Sequence, residues 1–102
     1  MNIEIGNYSF EGYYSSPSNF EEDPGIYAVF CRNYEKDILI DIGGSDNIRL
    51  KVENNERSSC WRRTCASALG YAVLYTPDLN EKGRMKIEEE IRDQYNPACG
   101  RK

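Results

Sequence analysis

At 102 residues the chain is sized for one domain with an adequate but not generous core. It has no internal repeat, no low-complexity tract and no apolar run long enough to span a membrane, so no membrane role is expected. The net charge of −4 is the wrong sign for binding nucleic acid by bulk electrostatics. Its distribution is uneven. Residues 1–30 hold five acids and no base, whereas residues 49–63 hold Arg49, Lys51, Arg57, Arg62 and Arg63 against Glu53 and Glu56. That stretch is either a locally positive surface on an acidic body or an ordinary solvated helix face.

Met1 to Phe10 contains Glu4 and lacks the charged-then-apolar pattern of a signal peptide, which makes the cytosol the expected compartment. Ile3, Ile5, Tyr8 and Phe10 alternate loosely, predicting one or two short strands or an extended arm on a sheet. Ser15 to Asp23 is polar, with Pro17 and three consecutive acids, and is expected as a surface loop. Pro24-Gly25 then marks a turn into the β-branched and aromatic run Ile26 to Cys31. After the polar loop Arg32 to Lys36, a second strand-like run, Asp37 to Ile42, ends on Gly43 and Gly44. The period of two places Ile26, Ala28 and Phe30 on one face, sets Ile38, Ile40 and Ile42 on a common face, and leaves Asp41 with Leu39. A carboxylate inside such a strand is costly unless something pairs with it, so Lys51, Arg49, a tyrosine hydroxyl or a metal is expected beside Asp41.

Ser45 or Asp46 is the expected cap of a helix through about Asn54, with Ile48 and Val52 as its apolar stripe. A second helical piece, about Ser58 to Ala68, is expected to end near Gly70. Tyr71 to Thr76 reads as a strand stopped by Pro77. The last helix is expected over about Glu81 to Tyr95, ended by Asn96-Pro97. Ile87, Ile91 and Tyr95 form its apolar line; Glu88 lies beside that line, Glu90 on its other edge, and Glu89 points away. Cys31, Cys60, Cys65 and Cys99 are irregularly spaced, and a reducing compartment would leave them as free thiols. Cys60 and Cys65 form one near pair, fewer than structural zinc usually shows.

Gly25-Ile26-Tyr27 followed by Asp41-Ile42-Gly43 resembles the paired motif of the GIY-YIG nuclease family, with Asp41 where the second tyrosine stands. The resemblance runs from Pro24 to about Asn96 and includes the order strand, strand, Ser-led helix, third strand, Glu-bearing helix, Asn. It implies an α+β fold: a small antiparallel or mixed sheet of about three central strands plus an N-terminal strand or arm, packed with about three helices. Residues 1–23 would be the arm, 24–97 the domain proper and 98–102 a tail.

Family members are metal-dependent phosphodiester nucleases, so the resemblance implies a Mg²⁺ or Mn²⁺ site and a nucleic-acid partner. Their chemistry needs a base for the attacking water, positive charge near the phosphate and help for the leaving oxygen. Tyr27 matches the first tyrosine, a phenol whose pKa a nearby cation would lower. Glu88 matches the metal-binding glutamate, with Glu90 as fallback. The arginine slot falls on Lys51, with Arg49 two residues early, and lysine lacks the planar fork. The histidine slot falls on Asn55, and Asn96 resembles the closing asparagine. Arg57, Arg62 and Arg63 are candidates for nucleic-acid contact. Ordinary alternatives stand beside these: Tyr27 as a packed strand aromatic, and Glu88 as a solvated residue paired with Arg84. Two functional classes follow: a divalent-metal endonuclease, or a degenerate domain that binds nucleic acid or protein without cutting. A working nuclease would need local positive surface, a protein partner or homo-oligomerisation for affinity.

Overall fold

The computed structural model describes residues 2–100; Met1 of the expected arm and residues 101 and 102 of the expected tail lie outside the described residues. It is an α+β fold. Strands β1 (Asn2–Ile5), β2 (Tyr8–Tyr14), β3 (Gly25–Arg32), β4 (Asp37–Ser45) and β5 (Ala68–Tyr75) form one antiparallel sheet in the order β1-β2-β5-β3-β4. Helices α1 (Ile48–Glu53), α2 (Ser58–Thr64) and α3 (Glu81–Tyr95) pack against it. Strand β3, apolar over almost its whole length, is an interior strand, pairing with β4 at the edge on one side and with β5 on the other.

Two cores result. Tyr27, Val29, Ile40 and Val73 pack with Ile48 and Val52 of α1 and Trp61 of α2. Ile26, Ala28, Phe30, Leu39, Ile42 and Ala72 pack with Ile91 of α3 and with Ile5 and Phe10 of the arm. The polar segment before the hairpin is less peripheral than expected: it holds a short 3-10 turn (Pro17–Asn19), and Phe20 is buried in the first core.

The strand parity expected for β4 needs correcting. Val29 pairs with Asp41 and Phe30 with Leu39, so Ile40 is an extra residue in a bulge. The bulge reverses the alternation between residues 39 and 42. Leu39 and Ile42 enter the α3 core while Ile40 enters the other, and Asp41 joins Tyr27 and Trp61 on the α1–α2 side rather than following Leu39. Ile38, grouped by the period of two with Ile40 and Ile42, instead pairs with Cys31 near the hairpin end and is 42% exposed. Ile87 is only partly buried.

Helix α1 is capped by Asn47, whose side chain accepts from the Leu50 N–H at 3.1 Å, and not by Ser45 or Asp46. Ser45 instead accepts the Asn47 N–H at 3.0 Å and so holds the capping residue in place. Helix α2 stops at Thr64, and Ala68 to Gly70 belong to β5, where they pair with Arg32 to Phe30. Helix α3 follows its expected bounds: Asn80 caps it, and Asn96, in the left-handed region at φ 48°, ends it.

The free-thiol expectation is overturned. Cys31 bonds to Cys65, tying β3 to the residue after α2, and Cys60 bonds to Cys99, tying α2 to the C-terminal segment. The fold brings together cysteines 34 and 39 residues apart, which irregular spacing could not indicate.

Candidate functional site: a buried ion-pair network at the sheet edge

The hairpin sets the geometry. Tyr27 of β3 lies directly opposite Gly43 of β4, and its ring covers that residue. A Cβ at position 43 would come within 2.5 Å of the Tyr27 hydroxyl oxygen, so this close approach requires glycine. The bulge then turns Asp41 towards the same layer.

Asp41 is fully buried. Its Oδ2 accepts from Arg57 Nε at 2.8 Å and from the Trp61 indole N–H at 2.7 Å. Its Oδ1 accepts from Arg57 Nη2 at 3.2 Å and from the Ile42 N–H at 2.8 Å. A second cation, Arg92 of α3, stands 3.8 Å away. Four donors and two guanidinium groups offset the desolvation that a buried carboxylate otherwise suffers. The partner is therefore Arg57, and not the Lys51, Arg49, tyrosine or metal expected from the sequence.

Asn55 organises Arg57. Its Oδ1 accepts the Arg57 N–H at 2.9 Å, and its Nδ2 donates to the Tyr27 hydroxyl at 3.1 Å and to the Lys51 carbonyl at 3.3 Å. Arg57, at the start of α2, has no side-chain acceptor with which to cap that helix; its guanidinium reaches inward, donating to Tyr27 at 2.7 Å as well as to Asp41. Burial acts to lower the Arg57 pKa, but the hydrogen bond to Asp41 and the negative charge around it leave it raised.

Tyr27 itself is wholly buried. Burial foremost, then the charge of Asp41, pushes its hydroxyl up to about 12, against the lowering effects of Arg57 and Asn55; Glu88 also raises it. The shift opposes the one a catalytic phenol needs. Because the folded-state value lies above a tyrosine's ordinary value of 10.0, the neutral form is favoured by folding. That stability is fully present below pH 10 and is lost as pH rises towards about 12, by roughly 2–3 kcal/mol. Other tyrosines titrate nearby, so the expected result is a difference: urea midpoints of the wild type fall more steeply over this range than those of Tyr27→Phe. Parallel curves would show that Tyr27 ionises as freely folded as unfolded.

Helix α3 passes the edge strand and brings Glu88 and Arg92 round it. Arg92 Nη2 donates to the Ile42 carbonyl and, at 3.1 Å, to Glu88 Oε1. Glu88 is close enough to bear on the Tyr27 hydroxyl, and it lines a cleft of about 220 Å³ with Lys51, Asp46, Glu81, Arg84 and Gly44. Lys51 and Glu88 thus share a concave surface, with Tyr27 sealed beneath rather than facing it. Arg49 is apart from this cluster, partly exposed and 3.7 Å from Glu53. Asn96 caps α3 and lines a neighbouring groove with Glu88 and Arg92. Glu90 is exposed and accepts from the Tyr8 hydroxyl at 3.3 Å. Arg62 and Arg63 are exposed on α2, whereas Arg57, expected on a nucleic-acid surface, is committed to Asp41.

The donor set does not fit a resident divalent cation. Both Asp41 oxygens are taken by N–H donors, and the carboxylate that reaches the cleft, Glu88, is shared with Arg92. Among the described residues no group of three His, Cys, Asp or Glu side chains is placed to hold a metal. The four cysteine sulfurs are consumed in disulfides.

Sequence reasoning missed Trp61 and Arg92 as members of this network. Each had a readable signal: a buried indole needs an acceptor, and Arg92 follows Glu88 by four on one helix. No protein-family model, curated protein or solved structure matches the chain. What fold and site define together is a class: an α+β domain, cross-linked twice, with a sealed ion-pair network at the edge of its sheet.

Proposed function

We propose that this chain is a GIY-YIG-type domain whose nuclease constellation has become a structural network, leaving a module that binds nucleic acid without cleaving it. One observation carries the reading: Asp41, at the second tyrosine position, is fully buried with both carboxylate oxygens already accepting hydrogen bonds. A phosphate reaching Tyr27 would have to displace Arg57 and Asn55, whose N–H groups already occupy its hydroxyl. Contact with the phosphate backbone falls instead to Arg62 and Arg63, exposed side by side on α2, and to Lys51 in the cleft. Three cations on an acidic protein make the binding weak and salt-sensitive. The two disulfides favour a compartment in which thiols oxidise over the cytosol that the sequence suggested.

A second reading keeps the enzyme. It rests on the cleft that Lys51 and Glu88 share, and it needs Mg²⁺ or Mn²⁺ to compete with Arg92 for Glu88. Incubating the protein with plasmid, single-stranded DNA and RNA, with each metal, separates the two. The expected result is no cleavage above the protein-free control, together with binding that weakens roughly tenfold in Arg62→Glu/Arg63→Glu. Metal-dependent cleavage that disappears in Glu88→Gln would overturn the proposal in favour of the second reading.

A further inference from the structure

The C-terminal segment Asn96 to Gly100 lies across the network rather than beside it. The Cys99 N–H donates to the Ile40 carbonyl, at the bulge, at 2.8 Å, and the Cys99 carbonyl accepts from Arg92 Nη1 at 3.5 Å. Gly100 follows in the left-handed region at φ +73°. A Cβ there would meet Asp41 Oδ1 at 2.7 Å and Arg57 Nε at 2.8 Å, so the backbone of this residue rests directly on the ion pair. The covalent tie holding the segment down is Cys60–Cys99. Its two halves differ in access: Cys99 is 1% exposed, whereas Cys60, on α2, is only partly buried. The other disulfide, Cys31–Cys65, has both residues buried.

We infer that Asn96 to Gly100 is a redox-latched strap: reduction of Cys60–Cys99 by a dithiol releases it and opens the Asp41–Arg57–Tyr27 network to solvent and ligand, with the sheet left standing. The inference concerns access alone and stands apart from whether the domain cleaves or only binds. In the first step the dithiol's thiolate attacks Cys60 Sγ and the Cys60–Cys99 bond breaks, so that Cys99 leaves and takes up a proton. The dithiol's second sulfur then closes on the mixed disulfide and frees Cys60 as a thiol. Two electrons pass to the protein, and the dithiol becomes a disulfide. Non-covalent ties stay on the strap, among them the hydrogen bond at the bulge, the long one from Arg92, the Thr64 hydroxyl 3.6 Å from Cys99 Sγ and the burial of Pro97 and Cys99. Cys31–Cys65 still anchors the residue after α2 to β3, which keeps Arg57 and Trp61 near Asp41.

The chain's single tryptophan reports on this directly, because Trp61 is 2% exposed and donates to Asp41. Limited dithiothreitol treatment, with differential alkylation and mass spectrometry, is expected to modify Cys60 and Cys99 before Cys31 and Cys65. At that point acrylamide quenching of Trp61 rises at least about threefold and the Cys99 amide exchanges faster, while the Val29 amide in the interior strand β3 stays protected. Cys99→Ser shows the same raised quenching without reductant and does not respond to it. Unchanged quenching with Cys60 and Cys99 demonstrably reduced overturns the inference. So does loss of Val29 protection together with Cys99, because a strap must open without the sheet.

Discussion

Asp41→Asn is expected to cost about 3–5 kcal/mol of folding stability, out of a total of roughly 5–15 kcal/mol for a domain of this kind. The substitution keeps the shape and removes the charge. Arg57 and Arg92, whose side chains are 28% and 16% exposed, then lose the anion that justified their burial. The amide can present only one oxygen to Arg57 Nε, Arg57 Nη2, the Trp61 indole and the Ile42 N–H, which now share two. Partial exposure lets Arg57 recruit some water, which favours the lower end of the range. Urea unfolding at constant m-value reads the loss. A change below about 1 kcal/mol, the worth of a solvated surface pair, would mean that Asp41 is not the centre of the network.

Replacing Cys31 and Cys65 together by alanine is the second large effect expected, at about 2–4 kcal/mol and so roughly 10–25 °C in Tm for a domain of this size. The cross-link spans 34 residues and fastens the C-terminal end of α2 to the interior strand β3. Without it the unfolded chain gains freedom, and α2, a seven-residue helix carrying Trp61, with Arg57 just before it, keeps fewer ties to the sheet. Calorimetry of the variant beside the wild type measures both the midpoint and the enthalpy. A Tm within a few degrees of the wild type would show that packing of Trp61 and the Asp41 pair already position α2 without the bond.

How far the molecule could be read from its residues depended on how local each determinant is. Helix α3 was legible almost to the residue because its stops are local: an asparagine cap before Glu81, and Asn96-Pro97 after Tyr95. The hairpin was legible for the same reason, from turn residues and β-branched runs. The bulge was not, since nothing in Asp37 to Ile42 marks which residue will be left without a cross-strand partner, and one extra residue reverses every facing beyond it. The disulfides were hidden behind a compartment argument that pointed the other way.

The candidate site was partly legible. Tyr27, Asp41 and Asn55 do meet, and Asn55, placed by counting residues along the motif, bonds the Tyr27 hydroxyl. The cation was misplaced because the count ended on α1, whereas the side chain that reaches Asp41 comes from the start of α2. Only the three-dimensional path between the two helices determines that. The concealment of the site was equally out of reach, because it depends on a C-terminal segment distant in sequence from the hairpin it covers.

The measurement closest to the central claim is a double-mutant cycle on Asp41 and Arg57. The claim is that the arginine and the aspartate are one structural unit inside the fold, so each should matter mainly because the other is present. Unfolding free energies of wild type, Asp41→Asn, Arg57→Gln and the double variant are compared in one buffer. The account predicts a coupling of about 2–3 kcal/mol, with the double variant scarcely less stable than Asp41→Asn alone. Losses that simply add, to within about 0.5 kcal/mol, would contradict it and return Arg57 to the surface role first expected of it.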